Sequence, residues 1–179
     1  MSPGTSQHAQ AIRQLIRDIP DFPKPGILFR DITPLLADSR GLALACEAMA
    51  EPFRDANIDV VVGTESRGFI FGAAIARLLN AGFVPVRKPG KLPGATIAEE
   101  YALEYGADRL EIHRDAVRPG QRVLMVDDLL ATGGTMKAAC RLVEKLGGDI
   151  AGISFLIELA FLHGREQLKS RPVHVVISY

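Results

Sequence analysis

Short apolar runs alternate with segments of helical composition along most of this chain. Residues 69–80 and 136–143 have the composition of helices, and residues 164–168 that of a short helical turn. The apolar runs are rich in Val and Ile and too short for helices, which predicts buried strands at residues 59–63, 83–86, 123–126, 150–157 and 173–177. Such alternation predicts an α/β fold with a central, mostly parallel sheet flanked by helices. We expect the 123–126 strand near the centre of that sheet.

The N-terminal part of the chain has a different pattern. Apolar residues recur at helical spacing over residues 7–19 and again over 42–53, which predicts two amphipathic helices. Residues 20–26 contain three prolines and a glycine, which cannot continue a helix. Residues 27–32 are predicted to be extended.

A flap is predicted in the middle of the chain. Polar and apolar residues alternate in residues 101–105 and 109–112, which predicts two short antiparallel strands. The loop before them, residues 87–94, carries the three cations Arg87, Lys88 and Lys91 together with two Pro and two Gly.

Composition limits the classes of protein to consider. The 179 residues suit one well-buried domain, and we treat 1–179 as a single domain. The chain has 21 basic residues (Lys plus Arg) and 21 acidic residues (Asp plus Glu), so it shows no excess of positive charge for binding nucleic acid or a membrane surface. Cys46 and Cys140 have no metal-binding spacing and fit small buried side chains in a reducing compartment. With no signal peptide or membrane-spanning stretch in view, we expect a cytoplasmic location.

Two acids follow the predicted central strand and lead into a turn of small residues. Asp127 and Asp128 are acceptors suited to the two hydroxyls of a ribose. Glycines let a phosphate approach the backbone closely, and N–H groups at a helix start attract anions. The turn consists of Ala131, Thr132, Gly133, Gly134 and Thr135 before the helix. This order predicts a ribose-phosphate site, against the alternative that the acids only cap the next helix.

Glu65, Ser66, Arg67 and Gly68 repeat the order of strand end, polar turn and helix start. Arg67 offers a planar cation suited to phosphate oxygens, so the turn is a candidate second anion site. The alternative is a helix N-cap by Ser66 with a solvated Arg67. The cationic 87–94 loop is similarly either a solvated surface loop or a lid whose Lys88 and Lys91 neutralise a departing anion.

These motifs together resemble the type I phosphoribosyltransferases. The 123–136 run is similar to the signature with which that family binds phosphoribosyl pyrophosphate (PRPP). Residues 20–32, the Glu-Ser-Arg-Gly turn, the 87–93 loop and residues 103–106 are similar to its adenine-specific branch, in the same order. The resemblance implies a small N-terminal hood over about residues 1–35 and a flexible antiparallel flap over about 87–112. It also implies a cis peptide bond between Glu65 and Ser66.

The resemblance also implies a reaction and roles. The enzyme would transfer the 5-phosphoribosyl group from PRPP to N9 of adenine, giving AMP and pyrophosphate, with Mg²⁺ carried on PRPP and no direct protein ligand to the metal assigned. Leu28, Phe29 and Arg30 would bind adenine, Glu104 would manage a proton, and Tyr105 would close over the site. Residues 131–135 would hold the 5'-phosphate, and Asp127 and Asp128 the ribose. The pyrophosphate group would be bound by Glu65, Ser66, Arg67, Arg87, Lys88 and Lys91.

Two rival interpretations remain open at this point. One is a phosphoribosyltransferase for hypoxanthine, guanine or xanthine, and the other is a non-catalytic regulator that senses PRPP or purines. A regulator usually needs a nucleic-acid-binding surface, and the charge pattern offers none. Members of the resembling family are usually homodimers, so a homodimer is expected.

Overall fold

The computed structural model describes the backbone of residues 3–102 and 107–179 and the side chains of residues 7–101 and 108–179. The chain divides into two compact units, Met1–Ala48 and Met49–Tyr179. The predicted hood segment lies in the first unit, and the predicted ribose-phosphate elements lie in the second.

The second unit alternates strands and helices as the apolar pattern predicts. A short 3₁₀ turn, Glu51–Phe53, with Pro52 near its start, precedes these strands. The strands are β3 (Val60–Thr64), β4 (Gly82–Val86), β5 (Thr96–Ala102), β6 (Ala107–His113), β7 (Arg122–Leu130), β8 (Asp149–Glu158) and β9 (Val173–Ser178), and the helices are α4 (Gly68–Leu78) and α5 (Gly134–Lys145).

One five-stranded parallel sheet organises this unit, in the order β4-β3-β7-β8-β9. The predicted central position of the 123–126 strand is confirmed, because β7 is the middle strand. Val62 pairs with Met125 of β7, which in turn pairs with Ile153. The core is formed by fully buried side chains of these strands and of α5, including Val62, Met125, Ile153, Phe155, Leu142 and Val143.

The predicted flap is confirmed as a separate antiparallel pair. β5 and β6 pair from Thr96 with His113 to Ala102 with Ala107, so β6 extends beyond the predicted 109–112 strand at both ends. β5 begins before the predicted 101–105 strand, of which residues 103–105 lie outside the described residues. Arg87, the first residue of the cationic loop, forms a β-bridge with Glu111 that ties the loop to the flap.

The first unit corrects the predicted N-terminal helix. Helix α1 spans Pro3–Gln14 and ends before Arg17–Ile19, which form strand β1 and pair antiparallel with β2, Phe29–Asp31. Pairing with a distant strand therefore overrides the helical spacing, because Arg17 lies opposite Asp31 and its guanidinium donates to that carboxylate at 2.6 Å. The predicted extended stretch contains β2, and a short helix α2, Thr33–Ala37, that the pattern did not predict follows it. Helix α3 starts at Ser39.

Asp31 is the buried centre of this pairing. Its carboxylate accepts hydrogen bonds from the Thr33 backbone N–H at 2.9 Å and from the Thr33 hydroxyl at 2.8 Å, as well as from Arg17. These donors, chiefly the Thr33 N–H and then Arg17, lower the pKa of Asp31 from 3.8 to about 2. The carboxylate thus anchors the end of the strand that carries the predicted base-binding residues Phe29 and Arg30.

No helix in the described parts of the chain combines the length and the apolar character needed to cross a membrane.

We expect Asp31→Asn to lower the free energy of unfolding by about 1–3 kcal/mol near pH 7, the range for charge-assisted hydrogen bonds. A carboxylate whose pKa is lowered by folding stabilises above its unfolded pKa of about 3.9, and that contribution is lost as the pH falls through about 2. The deficit of the variant should therefore shrink between pH 4 and pH 2. Urea unfolding at pH 7, 4 and 2.5 measures it, with exposed Asp55→Asn as the control. A deficit that stays constant with pH would contradict this account.

Candidate active site

Strand β7 carries both predicted ribose-binding acids and ends in the predicted phosphate-binding turn. The prediction that the acids end the strand is wrong, because β7 continues to Leu130. The reason is pairing with β8, which runs to Glu158 and offers partners to Leu129 and Leu130 beyond the acids. Asp127 and Asp128 therefore sit in a strand that is hydrogen-bonded beyond them, and their backbone positions are fixed by the sheet.

Asp127 is packed against the start of helix α4. A Cβ on Gly68 would lie 2.8 Å from Asp127 Oδ1 and 3.0 Å from Thr64 Oγ1, so only glycine allows the helix to approach this closely. Burial, and after it the charge of neighbouring Asp128, raises the pKa of Asp127 well above 3.8. Asp127 Oδ1 still accepts the Asp128 backbone N–H at 2.9 Å. The pair therefore concentrates negative charge in a partly dry site, where hydroxyl donors or a cation are favoured.

The turn after β3 lies beside the acidic pair because β3 and β7 are neighbours in the sheet. Arg67 Nε donates to Asp128 Oδ2 at 2.5 Å. The Glu65–Ser66 peptide bond is cis, as the resemblance implied. The alternative N-cap by Ser66 is wrong, since the residue before α4 is Arg67 and no side chain caps the helix. The turn after β3 and the acidic pair of β7, predicted separately from the sequence, are thus joined by a charge-assisted hydrogen bond.

The predicted phosphate-binding turn has the geometry that close backbone approach requires. Gly133 has φ of +84°, a conformation that side chains disfavour, and it directly precedes α5. A small cavity of about 80 Å³ lies at this turn. Its lining consists of Asp127, Leu129, Leu130, Ala131, Thr132, Gly133, Thr135, Met136 and Phe155. Its size suits a phosphate group rather than a whole nucleotide.

The cationic loop, residues 87–94, forms ion pairs with the turn after β3 and with the flap. Arg87 Nε donates to Glu65 Oε2 at 2.8 Å, which links the lid to the turn after β3. Lys88 Nζ lies 3.1 Å from Asp108 Oδ2 in β6, and this contact raises the pKa of Lys88. Lys91 is exposed on the same loop. The structure therefore brings Arg87 and Lys88 to the flap, which a solvated surface loop would not require.

Two flap residues take part in this network without having been predicted. Tyr101 pairs opposite Asp108 across the antiparallel strands and donates its hydroxyl to Asp108 Oδ2 at 3.1 Å. The pKa of Tyr101 is raised mainly by burial. The network therefore joins Lys88 of the loop to both strands of the flap. The alternation of the flap strands was the signal that could have placed Tyr101 opposite a polar partner.

The predicted base-binding residues lie in the Met1–Ala48 unit. Leu28 is 45% exposed, and the ring of Phe29 meets that of Phe22 edge to face at 5.1 Å. Arg30 forms an ion pair with Asp18. Glu104 and Tyr105, the predicted proton-managing and closing residues, lie outside the described residues.

A direct protein site for a metal does not form in the part of the chain that the structure describes, where no three His, Cys, Asp or Glu side chains cluster suitably. The residues nevertheless fit Mg²⁺ carried by a substrate, because Mg²⁺ is commonly held by one or two carboxylates plus phosphate oxygens. Asp127 and Asp128 would be the carboxylates nearest to it, because Asp127 lines the small cavity at the glycine-rich turn and Asp128 follows it in β7.

Comparison with known proteins assigns the class. Residues 33–178 match the family model described as the phosphoribosyl transferase domain. That match covers both turns, the lid, the flap and the whole parallel sheet.

Individual relatives narrow the class. The adenine phosphoribosyltransferase of Acidobacterium capsulatum is 56% identical, with 100% of this chain and 99% of that protein covered. The crystal structure of the adenine phosphoribosyltransferase from Rhodothermus marinus is 54% identical, with a TM-score of 0.93 over 97% of this chain and 99% of that one. The Saccharomyces cerevisiae enzyme, solved with an imino-altritol bisphosphate and adenine, is 40% identical with a TM-score of 0.91, covering 96% of this chain and 99% of that one. The chain therefore belongs to the phosphoribosyltransferase family, and within it to the adenine phosphoribosyltransferases.

We expect Asp127→Asn to stabilise the fold at neutral pH while impairing the site. A folded-state pKa above the unfolded value means that the carboxyl favours folding only below about pH 4, and that this contribution is lost as the pH rises and the buried group ionises. Asparagine keeps the acceptor for the Asp128 N–H and carries no charge. The melting temperature should rise by about 2–4 °C at pH 7.5, the effect of about 1 kcal/mol in a domain of this size.

The gain should disappear near pH 4, where the parent carboxyl is protonated. Thermal unfolding between pH 4 and 8 measures the gain at pH 7.5 and its loss near pH 4, with Asp149→Asn at an exposed position as the matched control. A variant less stable than the parent at pH 7.5 would contradict this assignment of the charge.

Proposed function

We propose that this chain transfers the 5-phosphoribosyl group from PRPP to N9 of adenine, giving AMP and pyrophosphate in purine salvage. The observation that carries the proposal is the junction of the two turns, where Arg67 donates to Asp128 beside a glycine-rich phosphate-binding turn. The Saccharomyces cerevisiae relative, solved with adenine and a bisphosphate, supports the choice of substrates.

The chain supplies binding groups for each part of PRPP. Backbone N–H groups of residues 131–135, at the start of α5, hold the 5'-phosphate. Asp127 and Asp128 accept hydrogen bonds from the ribose hydroxyls. The pyrophosphate group lies at the cis turn and the lid, bound by Glu65, Ser66, Arg67, Arg87, Lys88 and Lys91. When bound with PRPP, Mg²⁺ offsets phosphate charge and assists the leaving group.

The reaction needs charge stabilisation more than a protein nucleophile. The N9 lone pair forms a bond to C1 of the ribose, the C1–O bond breaks, and its electron pair leaves with pyrophosphate. Positive charge develops on the sugar ring, and the carboxylates of β7 are proposed to stabilise it. The cations of Arg67 and the lid meet the charge that develops on pyrophosphate. Water must be kept out, which is the role proposed for the lid and flap.

The base is proposed to bind in the N-terminal unit. Main-chain groups of Leu28 and Arg30 read the polar edge of adenine, and the side chain of Phe29 supplies an apolar wall. Glu104 is proposed to contact the N7 side and manage the proton lost from adenine, and Tyr105 to close over the site. Free, buried thiols at Cys46 and Cys140 support action in the cytoplasm, a reducing compartment.

The function is tested by competition between bases. Purified protein is incubated with PRPP, Mg²⁺ and equal amounts of adenine, hypoxanthine, guanine and xanthine, and the nucleotides are separated by chromatography. We expect AMP as the dominant product. IMP, GMP or XMP would overturn the proposed role of Leu28 to Arg30, and binding of PRPP without any nucleotide product would favour a sensor.

A matched pair of variants links that activity to the site. Asp128→Asn removes the charge that Arg67 and the ribose share, and should lower kcat/KM for PRPP about tenfold to hundredfold. Asp149→Asn makes the same chemical change in a surface ion pair with Arg122 and should leave kcat/KM unchanged. Equal effects of the two substitutions on kcat/KM would contradict the assignment of Asp128 to the site.

We further propose a homodimer. Large apolar side chains are exposed on the second unit, with Phe161 67%, Ile70 42% and Leu78 40% accessible. Ile70 and Leu78 are eight residues apart in α4 and therefore share one face of that helix, which suits an association surface. Sedimentation equilibrium should give twice the 19.4 kDa chain mass at micromolar concentration. A measured mass that stays at that of one chain up to high concentration would rule the dimer out.

A further inference from the structure

A segment far along the chain packs directly on the phosphate-binding turn. It is the 3₁₀ helix Gly164–Leu168, here called the brace, which follows β8 and lies 30 residues beyond the turn. None of its residues belongs to the motifs that define the site. Among the described glycines, the two at this contact are nevertheless those where an added Cβ would meet other backbone most closely.

The brace and the turn interlock through two glycines. A Cβ on Gly164 would lie 2.1 Å from the carbonyl oxygen of Ala131, and a Cβ on Gly133 would lie 2.4 Å from the carbonyl oxygen of Gly164. Real Cβ atoms do not approach backbone this closely, so neither residue accepts a side chain unless the backbone shifts. Backbone of the brace therefore lies against backbone of the turn that is proposed to bind the 5'-phosphate.

Three further contacts hold the brace in place. Arg165 Nε donates to Glu158 Oε1 at 2.7 Å, and Glu158 is only 6% exposed at the end of β8. Gln167 Oε1 accepts from Lys137 Nζ of α5 at 2.7 Å, and Leu168 is fully buried in the core. The brace is thus fixed to the sheet, to the core and to the helix that follows the turn.

We propose that Gly164 is a positioning residue for recognition of the 5'-phosphate, and that the brace sets the direction of the N–H groups in the 131–135 turn. This inference rests on the proposed function and assigns the phosphate end of its substrate to a second chain segment. A turn binds an anion well only when its donors are fixed before the anion arrives. The brace supplies that fixation because the turn itself is small, glycine-rich and has few side chains with which to pack.

The test compares ligands that differ only in the 5'-phosphate. Isothermal titration measures the Kd of AMP and of adenosine for the parent, for Gly164→Ala and for Gly82→Ala. A Cβ on Gly82 meets nothing closer than 3.7 Å, so Gly82→Ala is the matched control. We expect Gly164→Ala to raise the Kd of AMP about tenfold to hundredfold, which corresponds to the loss of one or two charge-assisted hydrogen bonds. The Kd of adenosine should stay within about twofold of the parent value.

The outcomes separate the inference from the proposed function. A parent that binds AMP no more tightly than adenosine would overturn the phosphate site itself. A parent that prefers AMP, with Gly164→Ala keeping the same preference, would overturn the role of the brace alone. An equal loss of both ligands would show a general structural effect and would also overturn it.

A second pair of variants covers the case in which Gly164→Ala does not fold. Arg165→Ala releases the brace from Glu158 without adding a side chain against the turn. It should raise the Kd of AMP about threefold to tenfold, within the range for a charge-assisted hydrogen bond. Arg165→Lys retains a cation for Glu158 and should recover part of the preference for AMP over adenosine. Unchanged AMP binding in folded Arg165→Ala would overturn the proposal.

Discussion

The parallel pairing of β3 with β7 is the constraint on which the rest of the site depends. Because the two strands are neighbours and run in the same direction, the turns that follow them end at the same edge of the sheet. One turn brings a guanidinium, and the other strand brings two carboxylates. The Arg67–Asp128 hydrogen bond is therefore a consequence of sheet topology, made between residues 61 positions apart.

Burying two adjacent carboxylates has an energetic cost that the fold leaves partly uncompensated. Asp128 has Arg67 as its partner, whereas Asp127 is packed beneath Gly68 and its pKa is raised by burial. A fold selected for stability alone would replace such a group by an uncharged one. Retaining it makes sense where a substrate completes the hydrogen bonding. The destabilised carboxylate is thus itself an argument that β7 serves binding.

The sequence predicted what local pattern determines. Apolar runs located all five strands of the parallel sheet, and small residues located the turn that precedes α5. It failed where distant pairing decides, as for Arg17–Ile19, which join β2 instead of continuing α1, and for β7, which continues past its acids along β8. The contribution of Gly164 was also beyond prediction, because it depends on a backbone contact across 30 residues that leaves no periodic signal.

Three of the four proposed pyrophosphate-binding cations share one further property, which is an ion pair with a carboxylate of the chain. Arg67 is bound by Asp128, Arg87 by Glu65 and Lys88 by Asp108. Pyrophosphate bound there exchanges one set of ion pairs for another, so its net affinity is the difference between them. A site of bare cations would hold a highly charged product tightly and slow its release. Pairing these three cations with carboxylates moderates that affinity and keeps the charges oriented, which suits a group that must be stabilised during transfer and then leave.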